Sequence, residues 1–282
     1  MRTLGIDIGG SSVKVALLEG EKPLWSAQGS AYSRPDTPSL IRNIRDVTRE
    51  LASDFGAIGI CVPGILDPSK QAVALSVNVP GLNGVPLAEL LKESLGWRIS
   101  PPRIVNDAHA AGIDIACTMG LKGRLLVIAL GTGIGGAVLD DAAALRIEGD
   151  SPGHLGQMDV SLDDLPPTGP DGGAGSLEAY MGAPAIILQY GSVDRFLNSA
   201  RLTDFSLRAL VRAIRICHAI YRPNHVVLAG GIGIRLKGLI TQLKASVDHK
   251  LTQIARPDWT LRAGEHDFHA AFGAARIAAS GI

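Results

Sequence analysis

The sequence predicts an α/β protein built as two similar lobes. Three observations carry this. An apolar strand that empties into a glycine turn occurs twice, at residues 3–10 and again at 124–136. Segments with helical spacing alternate with short apolar runs along the chain. The 282 residues are enough for two buried cores, at roughly 100–200 residues per domain.

Thr3–Ile8 and Ser12–Leu18 read as strands joined by Gly9-Gly10-Ser11, the second with Val13, Val15 and Leu17 alternating with Lys14 and Ala16. Ser39–Phe55 places Leu40, Ile44, Val47 and Leu51 at helical spacing. Ala57–Val62 is an apolar run stopped by Pro63-Gly64, hence a buried strand, and Asn78–Pro86 is a Gly- and Pro-rich loop before the short amphipathic helix Leu87–Leu95. Arg103–Val105 reads as a strand ending at Asn106-Asp107, either of which can cap the Ala-rich helix 108–119. Arg124–Leu130 is a strongly apolar strand running into Gly131–Gly136, and Ala137–Leu139 fits strand and helix equally. Ser151–Gly175 is crowded with Gly, Pro and Asp and reads as mostly loop. Ser206–Tyr221 is a helix stopped by Pro223, His225–Ala229 a strand ending at Gly230-Gly231, and Ala270–Ala279 a small-residue helix.

Composition narrows the function. Lys+Arg and Asp+Glu both number 27, and no basic stripe stands out, which argues against a nucleic-acid partner. No apolar run approaches the roughly 18 residues of a membrane span, and Met1–Gly10 reads as strand and turn rather than signal peptide, so a cytoplasmic protein without membrane contact is expected. Cys61, Cys117 and Cys217 are far apart in apolar contexts and read as buried thiols. His109, His218, His225, His249, His266 and His269 show no metal-ligand spacing and read as helix-surface or core residues.

Glycine turns let backbone N–H groups approach a ligand, and successive N–H groups make an anion-binding concavity. Three such turns occur, Gly9–Ser12, Gly131–Gly136 and Gly230-Gly231. Positions 131, 133 and 136 also satisfy the dinucleotide fingerprint Gly-x-Gly-x-x-Gly, with Glu148 or Asp150 near its acidic position, provided that a helix follows. Against that reading, Asp7 stands between Ile6 and Ile8 in an apolar strand, where an unpaired carboxylate is costly. A magnesium–nucleotide site needs such an acid, as a hard oxygen ligand held directly or through water; a dinucleotide turn does not.

Asp7-Ile8-Gly9-Gly10-Ser11-Ser12-Val13-Lys14 resembles the first phosphate loop of the sugar-kinase/actin superfamily. Taken with Pro63-Gly64, Asn106-Asp107, Gly131–Gly136, Gly175–Tyr180 and Gly230-Gly231, in that order along the whole chain, it resembles the ROK family of repressors and kinases. The resemblance implies a bilobal, actin-like or ribonuclease-H-like ATPase fold. Residues 1–107 with 268–282 would form the smaller lobe and 108–267 the larger, with ATP and sugar in the cleft between them. It implies that Gly9, Gly10, Ser11, Ser12 and Lys14, with Gly131, Thr132, Gly133 and Gly135, grip the phosphates of ATP. Gly230 and Gly231 would lie near the adenosine, and Asp7 would hold Mg2+. Asn78 and Asn106 would touch the sugar, and Asp107 would be the catalytic base for a hexose or N-acylhexosamine hydroxyl, in the family the 6-hydroxyl. A homodimer is compatible with the resemblance.

The chain departs from the family in two places. The family's zinc loop, Cys-x-Cys-Gly-x2-Gly-Cys-x-Glu, has Gly169, Asp171 and Ser176 at its cysteines, so no zinc site is expected, although Glu178 is kept. The family's Gly-Glu-x-Gly-His reads Gly153-His154-Leu155-Gly156-Gln157, placing His154 and Gln157 on the sugar-binding wall with Glu178. His at the first position also occurs in some N-acylmannosamine kinases, which favours an N-acyl or non-glucose hexose. A sugar-responsive repressor would need a DNA-binding segment ahead of the first strand. A sensor without turnover would not need Asp107.

Overall fold

A computed structural model describes residues 1–280 apart from 52–54, 70, 97–100, 148–150 and 171, so Glu148, Asp150 and Asp171 lie outside the described residues. Its elements run β1 (Arg2–Ile8), β2 (Val13–Glu19), β3 (Lys22–Gln28), α1 (Thr37–Thr48), β4 (Ala57–Val62), β5 (Ile65–Leu66), β6 (Val73–Leu75), α2 (Leu87–Leu95), β7 (Arg103–Asn106) and α3 (Asp107–Thr118). They continue with β8 (Arg124–Leu130), β9 (Ile134–Asp140), β10 (Ala143–Ala144), α4 (Leu177–Met181), α5 (Ala183–Tyr190), α6 (Val193–Ser199), α7 (Phe205–Tyr221), β11 (His225–Ala229), α8 (Gly230–Gly233), α9 (Ile240–Asp248), β12 (Thr260–Ala263) and α10 (His269–Ser280).

The chain forms two compact units, 1–118 with 146–152 and 268–282, and 119–145 with 153–267. The division falls after Thr118, whereas the sequence reading placed it after Asp107. The reason is packing, since α3 lies against α10. Each unit holds one five-stranded sheet, and the order is repeated: β3-β2-β1-β4-β7 in the first and β10-β9-β8-β11-β12 in the second. In both, an antiparallel hairpin and its next strand are followed by two strands parallel to the first. The mixed α/β architecture is the one the sequence predicts.

In the first unit Leu4, Ile6 and Ile8 alternate to one face of β1 and pack with Leu40 and Ile44 of α1. Gly5 lies on the other face, beneath α10, where a Cβ would stand 1.8 Å from the Ala271 carbonyl oxygen. Its register partner Gly59 on β4 meets the Ala274 oxygen in the same way. These two side-chain-free positions let a helix of Ala and Gly lie directly on the sheet. Deeper along α10, Asp114 of α3 accepts from His269 Nδ1 at 2.6 Å and Arg276 Nε at 2.8 Å, and Arg276 also pairs with Glu21. The second unit buries one larger cluster, from Leu126 and Ile128 to Phe196, Leu210 and Trp259.

Several boundaries differ from the sequence expectation. The helix expected over Ser39–Phe55 ends at Thr48, whose hydroxyl turns back to the Ile44 carbonyl, and Arg49 N–H bonds to Asp46 three residues back. Cys117 is exposed near the end of α3, while Cys61 and Cys217 are buried as expected. The strand β3 was not anticipated, because Pro23 and an exposed face give an edge strand little apolar signal. Main-chain bonds tie the loop 151–175 across its turns. Gly169 N–H bonds to Gly173 O, Gly175 N–H to Pro167 O and Val160 N–H to Gly175 O. Among the described residues no helix is long and apolar enough to cross a membrane.

Candidate active site

The strands β1, β4 and β7 run parallel, so their carboxyl ends share one edge of the first sheet. That edge bears Asp7 with the Gly9–Ser12 turn, Pro63-Gly64 and Asn106-Asp107, and open α/β sheets bind ligands beyond such an edge. Asp7 is 8% exposed, with Lys14 opposite it on β2 and Cys61 beside it on β4. The Cys61 thiol lies 3.6 Å from Asp7 Oδ1 and 3.4 Å from the Ala270 carbonyl oxygen. Burial, then the charges of Asp7 and Asp107, push that thiol well above its usual range, so it remains a protonated donor.

Asn106 and Asp107 cap α3. Asn106 Oδ1 accepts from the N–H groups of Ala108 at 2.9 Å and His109 at 3.3 Å, and Asp107 Oδ1 accepts from Ala108 N–H at 2.8 Å. Burial raises the Asp107 carboxyl, and the charge of Asp7 raises it further. Hydrogen bonds from the Ala108 N–H and the Asn106 side chain oppose this only in part, leaving it at about 7. A carboxyl poised there can take up a proton near neutral pH. Asn78 lies in a bend after β6, in the same unit.

In the second unit β8 and β9 form a hairpin, with Leu130 opposite Ile134 and Gly131 N–H bonded to the Gly133 oxygen at 3.0 Å. Strand β9 resolves the ambiguity of residues 137–139, and no helix follows the Gly-x-Gly-x-x-Gly run, as a dinucleotide turn would need. Gly131, Thr132, Gly133 and Gly135 are all half-buried on this turn. Gly230 sits against its root at φ +74°, where a Cβ would come within 2.5 Å of the Leu130 oxygen, and Gly231 follows. The 154–157 turn packs on the same hairpin, Leu155 against Gly136 and Gly156 against the Ile134 oxygen, leaving His154 and Gln157 exposed.

Glu178, buried in α4, turns Oε2 to the Ile134 N–H at 2.7 Å, and Ala183 N–H bonds to the Gly131 oxygen at 2.9 Å. Both ends of the second glycine turn are thus tied to the α4–α5 junction. The sequence reading had Glu178 on the sugar wall, without this bond. It also missed the segment Gln28–Tyr32, which binds the first glycine turn.

Residues 3–280 match the ROK family. The chain belongs to the ROK family. Among similar proteins, the N-acetyl-D-glucosamine kinase of Erwinia tasmaniensis is 27% identical, over 96% of this chain and 97% of its own. An N-acetylmannosamine kinase of Vibrio cholerae is 24% identical over 89% of this chain and 90% of its own. A ROK family glucokinase from Streptomyces griseus, solved with glucose and AMPPNP, superposes with a TM-score of 0.79 at 20% identity, covering all of both chains. This ROK chain therefore has the actin-like ATPase fold, and its paired sheets with glycine hairpins are that fold's two halves.

Proposed function

We propose that this ROK protein is an ATP-dependent sugar kinase, which transfers the γ-phosphate of ATP to a hydroxyl of a hexose or N-acylhexosamine. The observation that carries the reading is Asp107, half-buried beyond the ends of the parallel strands and raised to about 7. The names of the relatives, N-acetyl-D-glucosamine kinase and N-acetylmannosamine kinase, point to the same substrate class.

Phosphoryl transfer is mainly positioning and charge stabilisation. Asp107 accepts the proton of the sugar hydroxyl as its oxygen bonds to the γ-phosphorus. The bond from that phosphorus to the β–γ bridging oxygen breaks, and ADP leaves with the electron pair. Asn106 donates to Asp107 and orients it. The Gly9–Ser12 and Gly131–Gly135 turns bind the phosphates through N–H groups other than those of Gly9, Gly131 and Ile134, which donate within the protein, with Lys14 near the first turn and Gly230-Gly231 toward the adenosine. Asp7 is a hard carboxylate donor at the first turn and fits Mg2+, directly or through water; the ion, when bound with ATP, neutralises phosphate charge. Asn78, His154, Gln157 and Glu178 are the residues assigned to the sugar, with one Glu178 oxygen bonded to the Ile134 N–H of the glycine turn. Phosphorylation is at the 6-hydroxyl. His154, in place of a carboxylate, favours an N-acyl sugar, since it can both donate and accept.

The test is ADP release with Mg-ATP across hexoses and N-acylhexosamines. Sugar-dependent release is expected, fastest with an N-acylhexosamine. Nucleotide binding without release on any sugar would replace the kinase by a sensor of the same fold.

A further inference from the structure

The first glycine turn is shaped by a segment distant from it in sequence. From the end of β3 toward α1 the chain passes back along the turn and bonds to it three times, and once to Val13 at the start of β2. Gln28 Nε2 donates to Ser12 Oγ at 3.0 Å, and Gly29 N–H to the Val13 oxygen at 2.8 Å. Tyr32 N–H donates to the Ser11 oxygen at 2.9 Å, and the Tyr32 hydroxyl to the Gly9 oxygen at 2.7 Å. Within the turn, Gly9 N–H donates to the Ser12 oxygen at 3.1 Å.

The pattern matters because of which atoms are bound. A carbonyl aimed at a phosphate repels it, whereas an N–H attracts it. Tyr32 alone takes the carbonyls of Gly9 and Ser11, one with its main chain and one with its phenol. Bonded within the protein, those two oxygens are held back from a phosphate at the turn. The phenol is suited to this, because burial and then the negative charge of Asp7 raise it above its ordinary range, so it keeps its proton and donates at any physiological pH.

We propose that the Gln28–Tyr32 strap, and Tyr32 within it, is a positioning element for the nucleotide: it holds the first glycine turn with its carbonyls turned away from the phosphates. The proposal rests on the kinase reading, in which that turn binds ATP. Tyr32 touches no reacting atom and acts through Gly9 and Ser11.

The experiment compares wild type with Tyr32→Phe, which keeps the ring and removes only the hydroxyl, and with Gln28→Ala at the exposed end of the strap. Calorimetry with Mg-AMPPNP gives the nucleotide Kd, steady-state kinetics give the KM values for ATP and sugar, and a thermal melt checks the fold. Tyr32→Phe is expected to raise the nucleotide Kd and the ATP KM about tenfold, the scale of one buried hydrogen bond. The sugar KM should stay within about twofold, and Gln28→Ala should raise the Kd about threefold. An unchanged nucleotide Kd in Tyr32→Phe, or an equal rise in both KM values, would overturn the proposal. If Tyr32→Phe fails to fold, an unchanged Kd in Gln28→Ala overturns it and a raised Kd supports it. Sugar-dependent ADP release by wild type reports on the kinase reading separately, since the Kd comparison needs no turnover.

Discussion

Asp107→Asn is expected to slow sugar phosphorylation about 10³-fold while leaving nucleotide affinity unchanged, because a positioned general base contributes roughly 10²–10⁴-fold. The substitution keeps the shape of the side chain and its cap on Ala108, since Asn caps helices as well as Asp. What is lost is the proton acceptor. In wild type the carboxyl sits at about 7, raised by burial and then by Asp7, so kcat/KM for the sugar should fall as the pH drops through 7.

The same shift has a stability signature of opposite direction to the activity. In the unfolded chain Asp107 loses its proton near pH 4, and in the folded chain only near 7. Between those values the folded state holds more protons, so this group makes stability decline as the pH rises from about 4 to about 7 and remain lower above it. Asn carries no such cost. Asp107→Asn should therefore be more stable than wild type at pH 8, by on the order of 2–4 kcal/mol, and indistinguishable from it at pH 4. Equal melting at pH 8, or a kcat/KM that is flat from pH 5.5 to 8, would show that the carboxyl is not raised, and undiminished phosphorylation by Asp107→Asn would remove Asp107 from the role of base.

Gly59→Ala is expected to cost about 4 kcal/mol or more, a large loss for a single added carbon. The new Cβ would stand 1.9 Å from the Ala274 carbonyl oxygen and 2.5 Å from its carbon. Both are backbone atoms of α10, so no side chain can swing aside. Gly5, its register partner, meets the same helix at Ala271. The helix must lift, and with it goes the cover over β1, which carries Asp7. Gly238→Ala, with nothing within 4 Å, is the control and should be neutral. Chemical denaturation of both variants decides it; a Gly59→Ala loss under about 1 kcal/mol would mean that α10 can ride higher on the sheet than its contacts suggest.

What the sequence made legible were the features written in a local contrast. Asp7 stood out as a charge inside an apolar strand, Asn106-Asp107 as a cap before an Ala-rich helix, and the hairpin turns as glycines after apolar runs. Each of these lies within a few residues of its signal. The Tyr32 bonds reach back 23 and 21 positions to main-chain oxygens, and Glu178 reaches 44 positions to a main-chain N–H. Any residue can supply a main-chain partner, so these contacts leave no mark in the sequence of the partner. The choice between strand and helix at 137–139 failed for a related reason. A short apolar run carries no period of its own, and only its pairing with β8 fixes it. Gly5 and Gly59 are legible only once their register is known.

The return of α10 to the first sheet also sets an order of events at the ribosome. The strands β1 and β4 are made early, but the helix that covers their glycine face is the last element translated before residue 280. The second unit, 119–145 with 153–267, is complete in the nascent chain before that helix exists. Vectorial synthesis thus favours the later unit folding first, with the earlier one waiting, its sheet half-clothed, for residues 269–280. Pulse proteolysis of released chains truncated after residue 267 should find the second unit protected and β1 cleavable; protection of both would show that the sheet closes without its helix.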